Sequence, residues 1–175
     1  MQAPDYLRKT REKEVPMSQR AKDLSRRIQS FSNEIIAFVE NMDDKDWSKT
    51  TEWEQWPVGT AARHLGTHFA ITQLAEMMIK GEDLPQMTME QINAMSEKDA
   101  REHLDCTKAE ALDQLREKSA GMVTFVSGLS DEALDCKGRM QALGGEVTVE
   151  QLLDFILFQS GGQHLASIRK AVAGS

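Results

Sequence analysis

The sequence predicts an all-α protein, a four-helix bundle, on three observations. Four segments carry apolar residues at alternating steps of three and four, which is the spacing of a helix that buries one face. Three Thr-x-x-Glu or Thr-x-x-Gln motifs have the spacing of a capping box at a helix start. Aromatic residues make up only 6% of the 175 residues, whereas strands favour aromatic and β-branched side chains. Four long amphipathic helices can bury their apolar faces around one shared core.

The first predicted helix runs from Ser18 to Met42, with Ser18 as its N-cap. Residues 43–46 end it with a polar turn. Residues 1–16 are polar and charged without periodicity, so we expect an N-terminal arm there, either mobile or folded as a short flanking helix. The bundle domain then spans 17–175. The inward-facing positions of the first helix are Leu24, Ile28, Phe31, Ile35, Phe38 and Met42.

The second predicted helix begins between Pro57 and Thr60, because proline suits the first turn of a helix. It ends at about Lys80, since Gly81 follows as a stop signal. Its inward-facing positions are Ala61, Leu65, His68, Thr72, Ala75 and Ile79.

Three tryptophans, Trp47, Trp53 and Trp56, lie in the connection before this helix. They form either a hydrophobic plug over one end of the bundle or, for at least one of them, the wall of a ligand pocket.

Capping boxes open the third and fourth predicted helices at Thr107 and Thr148. The third ends near Gly128 and Ser130, and the fourth runs to about Val172. The inward-facing positions of the third are Leu112, Leu115, Ser119, Met122, Val126 and Leu129. Those of the fourth are Val149, Leu153, Ile156, Ser160, Gln163 or His164, Ser167 and Ala171.

The lengths of the connections predict the order of the helices. The link between helices two and three, about 82–106, is long enough to cross the bundle, and the capping box at Thr88 predicts a short helix within it. The other two links suit antiparallel neighbours. We therefore expect an up-down-down-up bundle, with a compact lid on an up-down-up-down bundle as the alternative. Residues 131–147 indicate an irregular link in which Gly144-Gly145 suits a hairpin turn.

The composition excludes several classes of function. A net charge of −7 argues against a nucleic-acid partner, because phosphate binding needs clustered Lys and Arg. No apolar run approaches the ~18–20 residues that span a bilayer, and no secretory signal precedes the first helix, so we expect a cytoplasmic protein without membrane contact. Cys106 and Cys136 are too few for a disulfide framework. Cys106 has His103 nearby but no third orienting group, which favours a helix-flank pair over a catalytic dyad.

The histidines form the constellation in this sequence that indicates chemistry. His64 and His68 are four residues apart and share one helix face, while His164 lies in the last helix. If helix two runs opposite to helix four with His64 level with His164, then His68 lies level with Ser160. Neutral imidazole is a good ligand for zinc, nickel, copper and iron. His64, His68 and His164 are therefore candidate metal ligands, with water or substrate completing the shell. The alternative is a surface pair, or core histidines whose ring nitrogens are satisfied by hydrogen bonds without an ion.

Small residues surround His164 in the sequence. Ser160, Gly161 and Gly162 stand where a helix interior normally carries bulk, and each glycine costs about 1 kcal/mol relative to alanine there. They either make room for a ligand or permit a π-bulge, unless they serve close helix packing or a simple kink. Ser160 and Gln163 are expected to contact either the metal-binding histidines or a substrate, in a pocket that Gly161, Gly162 and Trp56 also line.

Trp56 followed eight residues later by His64-Leu65, together with Gln163-His164-Leu-Ala-Ser-Ile-Arg169, resembles the DinB/YfiT-like superfamily over about residues 18–172. The resemblance implies an up-down-down-up bundle, often dimeric. It also implies a metal site with one histidine from the second helix and a His-x3-His or Glu-x3-His pair from the last. His64 and His164 match that pattern, whereas Ser160 occupies the third position and is a poor ligand. His68 is the residue that can compensate.

The resemblance implies a metal-dependent enzyme acting on a small molecule, of the thiol-dependent transferase or isomerase type or of the hydrolase type. The expected cofactor is a divalent transition metal (nickel, zinc or iron), the expected substrate class includes a low-molecular-weight thiol, and the expected assembly is a homodimer. The alternative, favoured by Ser160, is a metal-free DinB-like bundle that binds small molecules or acts as a stress-related interaction protein. A structural protein without a pocket is a third reading.

Overall fold

The structure is a computed structural model that describes residues 18–174. It is mostly helical, as predicted, and its long helices form a four-helix bundle with one small hairpin. The expected arm over 1–16 lies outside the described residues. Within 18–174, no helix combines the length and the apolar character needed to cross a membrane.

Helix α1 spans Gln19–Glu40, and its N-cap is the predicted Ser18, whose hydroxyl accepts a hydrogen bond from the Ala21 amide at 3.0 Å. The predicted inward positions need one correction, because Phe31 and Phe38 are only half-buried. α1 contacts helix 108–127 on one side and the last helix on the other, where Phe31 meets Phe158 at 5.6 Å between ring centroids. The buried face is therefore wider than one stripe, and it consists of Ala21, Leu24, Ser25, Ile28, Ser32, Ile35 and Val39.

The second predicted helix is broken, which corrects the expectation of one continuous helix. α2 spans Val58–His68 and α3 spans Thr72–Lys80, with Gly81 in the left-handed conformation as the predicted stop. Two side chains bind the carbonyl oxygen of His64 within α2: Thr67 Oγ1 at 2.7 Å and His68 Nδ1 at 3.2 Å. Side-chain hydrogen bonds of this kind bend helices. The next backbone bond, from the Phe69 amide to the Gly66 carbonyl, has the shorter 3₁₀ spacing.

The crossover contains α4, Met89–Glu102, which is longer than the short helix expected there. The capping boxes at Thr88, Thr107 and Thr148 are all confirmed. Helix α5 spans Lys108–Ser127, and all six of its predicted inward positions, through Leu129, are buried.

The link after α5 is more regular than expected, since it begins with the short helix α6, Asp131–Asp135. Strands β1, Lys137–Met140, and β2, Gly145–Thr148, then pair antiparallel with Lys137 opposite Thr148, which confirms the hairpin at Gly144-Gly145. Gly138 lets the hairpin approach the bundle closely, because a Cβ at this position would lie only 2.7 Å from Met78 Cγ.

The last helix contains a π-helical insertion. α7 spans Val149–Leu153, a π-helix covers Asp154–Ser160, and α8 spans Gly161–Ala173 without a break. A π turn rotates the residues that follow it relative to an α-helical register. This rotation explains why Gln163 is exposed while His164, Leu165 and Ile168 are buried. Leu152, before the π-helix, and Leu157, within it, are also buried, although the predicted pattern omitted them.

Side-chain contacts give the helix directions. α5 runs antiparallel to α1, since the Ser25 hydroxyl meets the Val123 carbonyl while Glu40 pairs with Arg116. The last helix runs parallel to α1, with Arg27 paired to Asp154 and Glu34 paired to Arg169. It runs antiparallel to α2, where His64 meets His164 and His68 meets Ser160. These directions agree with the up-down-down-up order.

Candidate metal centre

Three histidines from two helices meet inside the bundle. His64 and His68 come from α2 and His164 from α8, and each is 8% exposed. One ring nitrogen from each lies within 4.8 Å of the other two, and the ring centroids are 4.9–5.1 Å apart. The i,i+4 spacing and the antiparallel helix pair therefore bring together the three residues singled out in the sequence.

Hydrogen bonds define which nitrogen carries the proton on two of these rings. His68 Nδ1 lies 3.2 Å from the His64 carbonyl oxygen, which can only accept, so Nδ1 donates. The lone pair of His68 is then on Nε2, which lies 3.1 Å from Ser160 Oγ. His164 Nδ1 lies 2.7 Å from Glu54 Oε1. His64 Nδ1 has a longer contact, 3.5 Å to Thr67 Oγ1.

Glu54 is the site residue that the sequence analysis missed. Its side chain is 4% exposed, and its second oxygen accepts a hydrogen bond from Ser167 Oγ at 2.5 Å. Burial raises the pKa of Glu54, but hydrogen bonds from His164, Ser167 and Thr51 outweigh burial and leave the pKa below its usual value. The carboxylate is thus ionised and acts only as an acceptor. Glu54 lies in an irregular loop, where no periodicity predicts which side chain turns inward.

The cluster keeps two of its imidazoles neutral. Burial, together with repulsion from His68 and His164, lowers the pKa of His64 to about 3. Burial and His164 likewise lower the pKa of His68 to about 4. At neutral pH both rings therefore have a lone pair available for a ligand, which is the form that a metal requires.

Two of the three tryptophans flank the cluster. Trp53 lies 4.9 Å from the His164 ring and is 58% exposed, and Trp56 meets His64 edge-on at 5.1 Å. Trp47 lies elsewhere, packed on Gly59 with its Nε1 donating to the Cys106 carbonyl at 2.9 Å. Trp53 and Trp56 thus lie beside the histidine cluster, whereas Trp47 packs against the start of α2.

The small residues predicted around His164 do not all lie at the cluster. Ser160 does, through its contact with His68. A Cβ at Gly161 would lie 3.5 Å from the Phe31 ring, and a Cβ at Gly162 would meet nothing within 4 Å. Gln163 is exposed, so its predicted substrate contact lacks support in this arrangement. Of the two outcomes we expected from the glycines, the π turn is the one observed.

The Cys106–His103 pair has the geometry of a structural pair. Burial raises the pKa of the Cys106 thiol, which disfavours the thiolate that a nucleophile needs. His103 is the C-cap residue of α4, and its Nδ1 lies 2.7 Å from the Asp99 carbonyl oxygen in the last turn of that helix.

Comparison with known proteins identifies the family. A family model described as the DinB superfamily matches residues 27–168. Among solved structures, the chain is similar to YfiT from Bacillus subtilis, described as a probable metal-dependent hydrolase with an unusual four-helix bundle topology, with 18% identity and a TM-score of 0.69. The similarity covers 89% of this chain and 87% of that one. No curated protein matches the chain. The match over most of the bundle shows that the chain belongs to the DinB superfamily.

Proposed function

We propose that the chain is a metal-dependent enzyme that acts on a small molecule, with His64, His68 and His164 as ligands of a divalent transition metal. The observation that carries this proposal is the approach of three buried ring nitrogens to within 4.8 Å of one another. An apolar core needs no imidazoles, and burying titratable rings costs free energy unless they gain partners. Nickel, zinc and iron all accept a set of three imidazoles.

Ser160 and Trp53, which lie beside the histidines, support a site for a small molecule. Bound there, a divalent metal supplies a Lewis acid that polarises a substrate group. Ser160 Oγ is hydrogen-bonded to His68 Nε2, so this bond would have to break for His68 to bind a metal through Nε2. The Ser160 hydroxyl would then be free to contact a bound molecule. The exposed face of Trp53, next to His164, offers an apolar surface for the same molecule.

The description of YfiT favours hydrolysis for this chain. A low-molecular-weight thiol as co-substrate and a homodimeric state are supported by the family resemblance.

A metal-free binding bundle is the second candidate, and the Ser160–His68 hydrogen bond favours it. This bond satisfies His68 Nε2 without an ion. In that case the three imidazoles would recognise a small polar ligand through hydrogen bonds, and no metal would be retained.

Metal content separates the two candidates. Protein purified without an affinity tag is analysed by mass spectrometry and titrated with nickel, zinc and iron(II). We expect one ion per chain in the parent and loss of binding in His64→Ala and His164→Ala, because two ligands hold a first-row ion poorly against water. His103→Ala is the matched control, since His103 is the remaining histidine and lies outside the cluster. No binding at micromolar metal would favour the metal-free bundle.

A further inference from the structure

We propose that Glu54 is a positioning residue, which holds His164 with its proton on Nδ1 so that the Nε2 lone pair is available to the histidine cluster. The inference deepens the proposed function and rests on it for its consequence in metal binding. The tautomer itself is a property of the metal-free protein.

Both oxygens of Glu54 are engaged by one helix. Oε1 lies 2.7 Å from His164 Nδ1, and Oε2 accepts from Ser167 Oγ at 2.5 Å. His164 and Ser167 are three residues apart on α8 and therefore share a face. Two adjacent donors on one helix face fix the carboxylate in place. Imidazole is a stronger base than carboxylate, so in this 2.7 Å contact the proton belongs to His164 Nδ1 and Glu54 Oε1 accepts it.

The loop that carries Glu54 is built to turn this side chain inward. Thr51 closes the loop through its amide, which donates to the Trp56 carbonyl at 2.8 Å, and through its hydroxyl, which accepts from the Trp56 amide at 3.3 Å. Gln55 has a φ of 59°, a left-handed conformation that is strained for a residue other than glycine. Such strain persists where the surrounding contacts fix the backbone, and here those contacts place Glu54 against His164.

Two tryptophans of the same loop lie beside the ring of His164. The Trp53 ring centroid lies 4.9 Å from that of His164, and the Trp56 centroid lies 6.4 Å away with the two rings nearly parallel, at 12°. Glu54 selects which nitrogen of this imidazole bears hydrogen. Carboxylate–histidine pairs of this kind orient metal ligands and raise their basicity, and losing the carboxylate typically costs ~10–100-fold in metal affinity.

The first test is the tautomer of His164 in metal-free protein, read from long-range ¹H–¹⁵N correlations of the imidazole at a pH high enough that the ring carries a single proton. We expect the Nδ1–H form in the parent and in Ser167→Ala, and a shift toward the Nε2–H form in Glu54→Ala. An Nε2–H form in the parent would overturn the inference, whether or not the protein binds metal. An unchanged Nδ1–H form in Glu54→Ala would overturn it as well.

The second test is metal affinity, measured by titration with zinc. Glu54→Ala should weaken binding ~10–100-fold, and Glu54→Gln should weaken it less, because its amide oxygen still accepts from Nδ1. Glu54→Gln is nearly isosteric and also guards against loss of the fold. Glu97→Gln is the matched control, since Glu97 accepts from Trp56 Nε1 at 3.2 Å and, within residues 18–174, makes no hydrogen bond or ion pair with a histidine.

The two tests separate the inference from the function it serves. Equal losses in Glu97→Gln and Glu54→Ala would assign the effect to nearby charge and contradict positioning. Absence of zinc binding in every protein would refute the metal proposal, while the tautomer measurement would still decide the role of Glu54.

Discussion

Acid should destabilise the metal-free protein through its buried histidines. The pKa values of His64 and His68 lie at about 3 and about 4 in the folded chain, against an ordinary value near 6.5. Between about pH 3 and pH 6.5 these two histidines therefore bind more protons in the unfolded chain than in the folded one. The stability that these two residues contribute is therefore fully present above pH 6.5, and it is lost as the pH falls toward 4 and then 3.

The size of this effect follows from the same pKa values. At pH 5 an imidazole with an unfolded pKa near 6.5 and a folded pKa well below 5 has lost about 2 kcal/mol of its contribution. Urea unfolding at pH 8 and pH 5, with chelator present, measures the loss. We expect His64→Gln to lose about 2 kcal/mol less than the parent over this interval. An identical pH dependence in parent and His64→Gln would refute the reasoning, and His103→Gln provides the control for a histidine outside the cluster.

Two further predictions concern packing. Met122→Ala should lower the free energy of unfolding, measured in urea, by about 2–5 kcal/mol because Met122 is fully buried. Phe31→Ala should lower it by less because Phe31 is half-buried. A loss below about 0.5 kcal/mol for Met122→Ala would contradict the packing of α5. Gly162→Ala should raise the free energy of unfolding by up to about 1 kcal/mol, and with it the melting temperature, because alanine favours a helix and a methyl group there meets nothing within 4 Å. The same variant should leave metal affinity unchanged. Weaker metal binding would show that Gly162 does make room for a ligand.

The elements that the sequence predicts well are those governed by local rules. The six inward positions of α5 and the three capping boxes follow from helical periodicity and from a side chain's reach to a nearby amide. The pairing of His64 and His68 follows from the same periodicity. Two antiparallel helices have the same rise per residue, so if His64 lies opposite His164, His68 lies opposite Ser160. The 3.1 Å contact between His68 Nε2 and Ser160 Oγ agrees with this prediction.

The features that the sequence did not predict depend on tertiary contacts. The break after His68 arises where two side chains bind the His64 carbonyl. The π turn before Gly161 rotates Gln163 outward, and a uniform 3.6-residue pattern cannot register such a shift. Glu54 enters the site from a loop whose course is set by Thr51 and Trp56 hydrogen bonds, and no spacing rule links residue 54 to residue 164.

The central claim is that His68 supplies the ligand that Ser160 cannot. The most direct test compares zinc affinity in the parent, in His68→Ala and in the double variant His68→Ala/Ser160→His. Because position 160 lies within hydrogen-bond distance of the His68 ring, a histidine there places an imidazole at the same end of the cluster. If His68 is a ligand, the affinity for zinc should fall at least tenfold in His68→Ala and recover in the double variant. Zinc binding by His68→Ala as tight as in the parent, with binding abolished in His164→Ala, would contradict it.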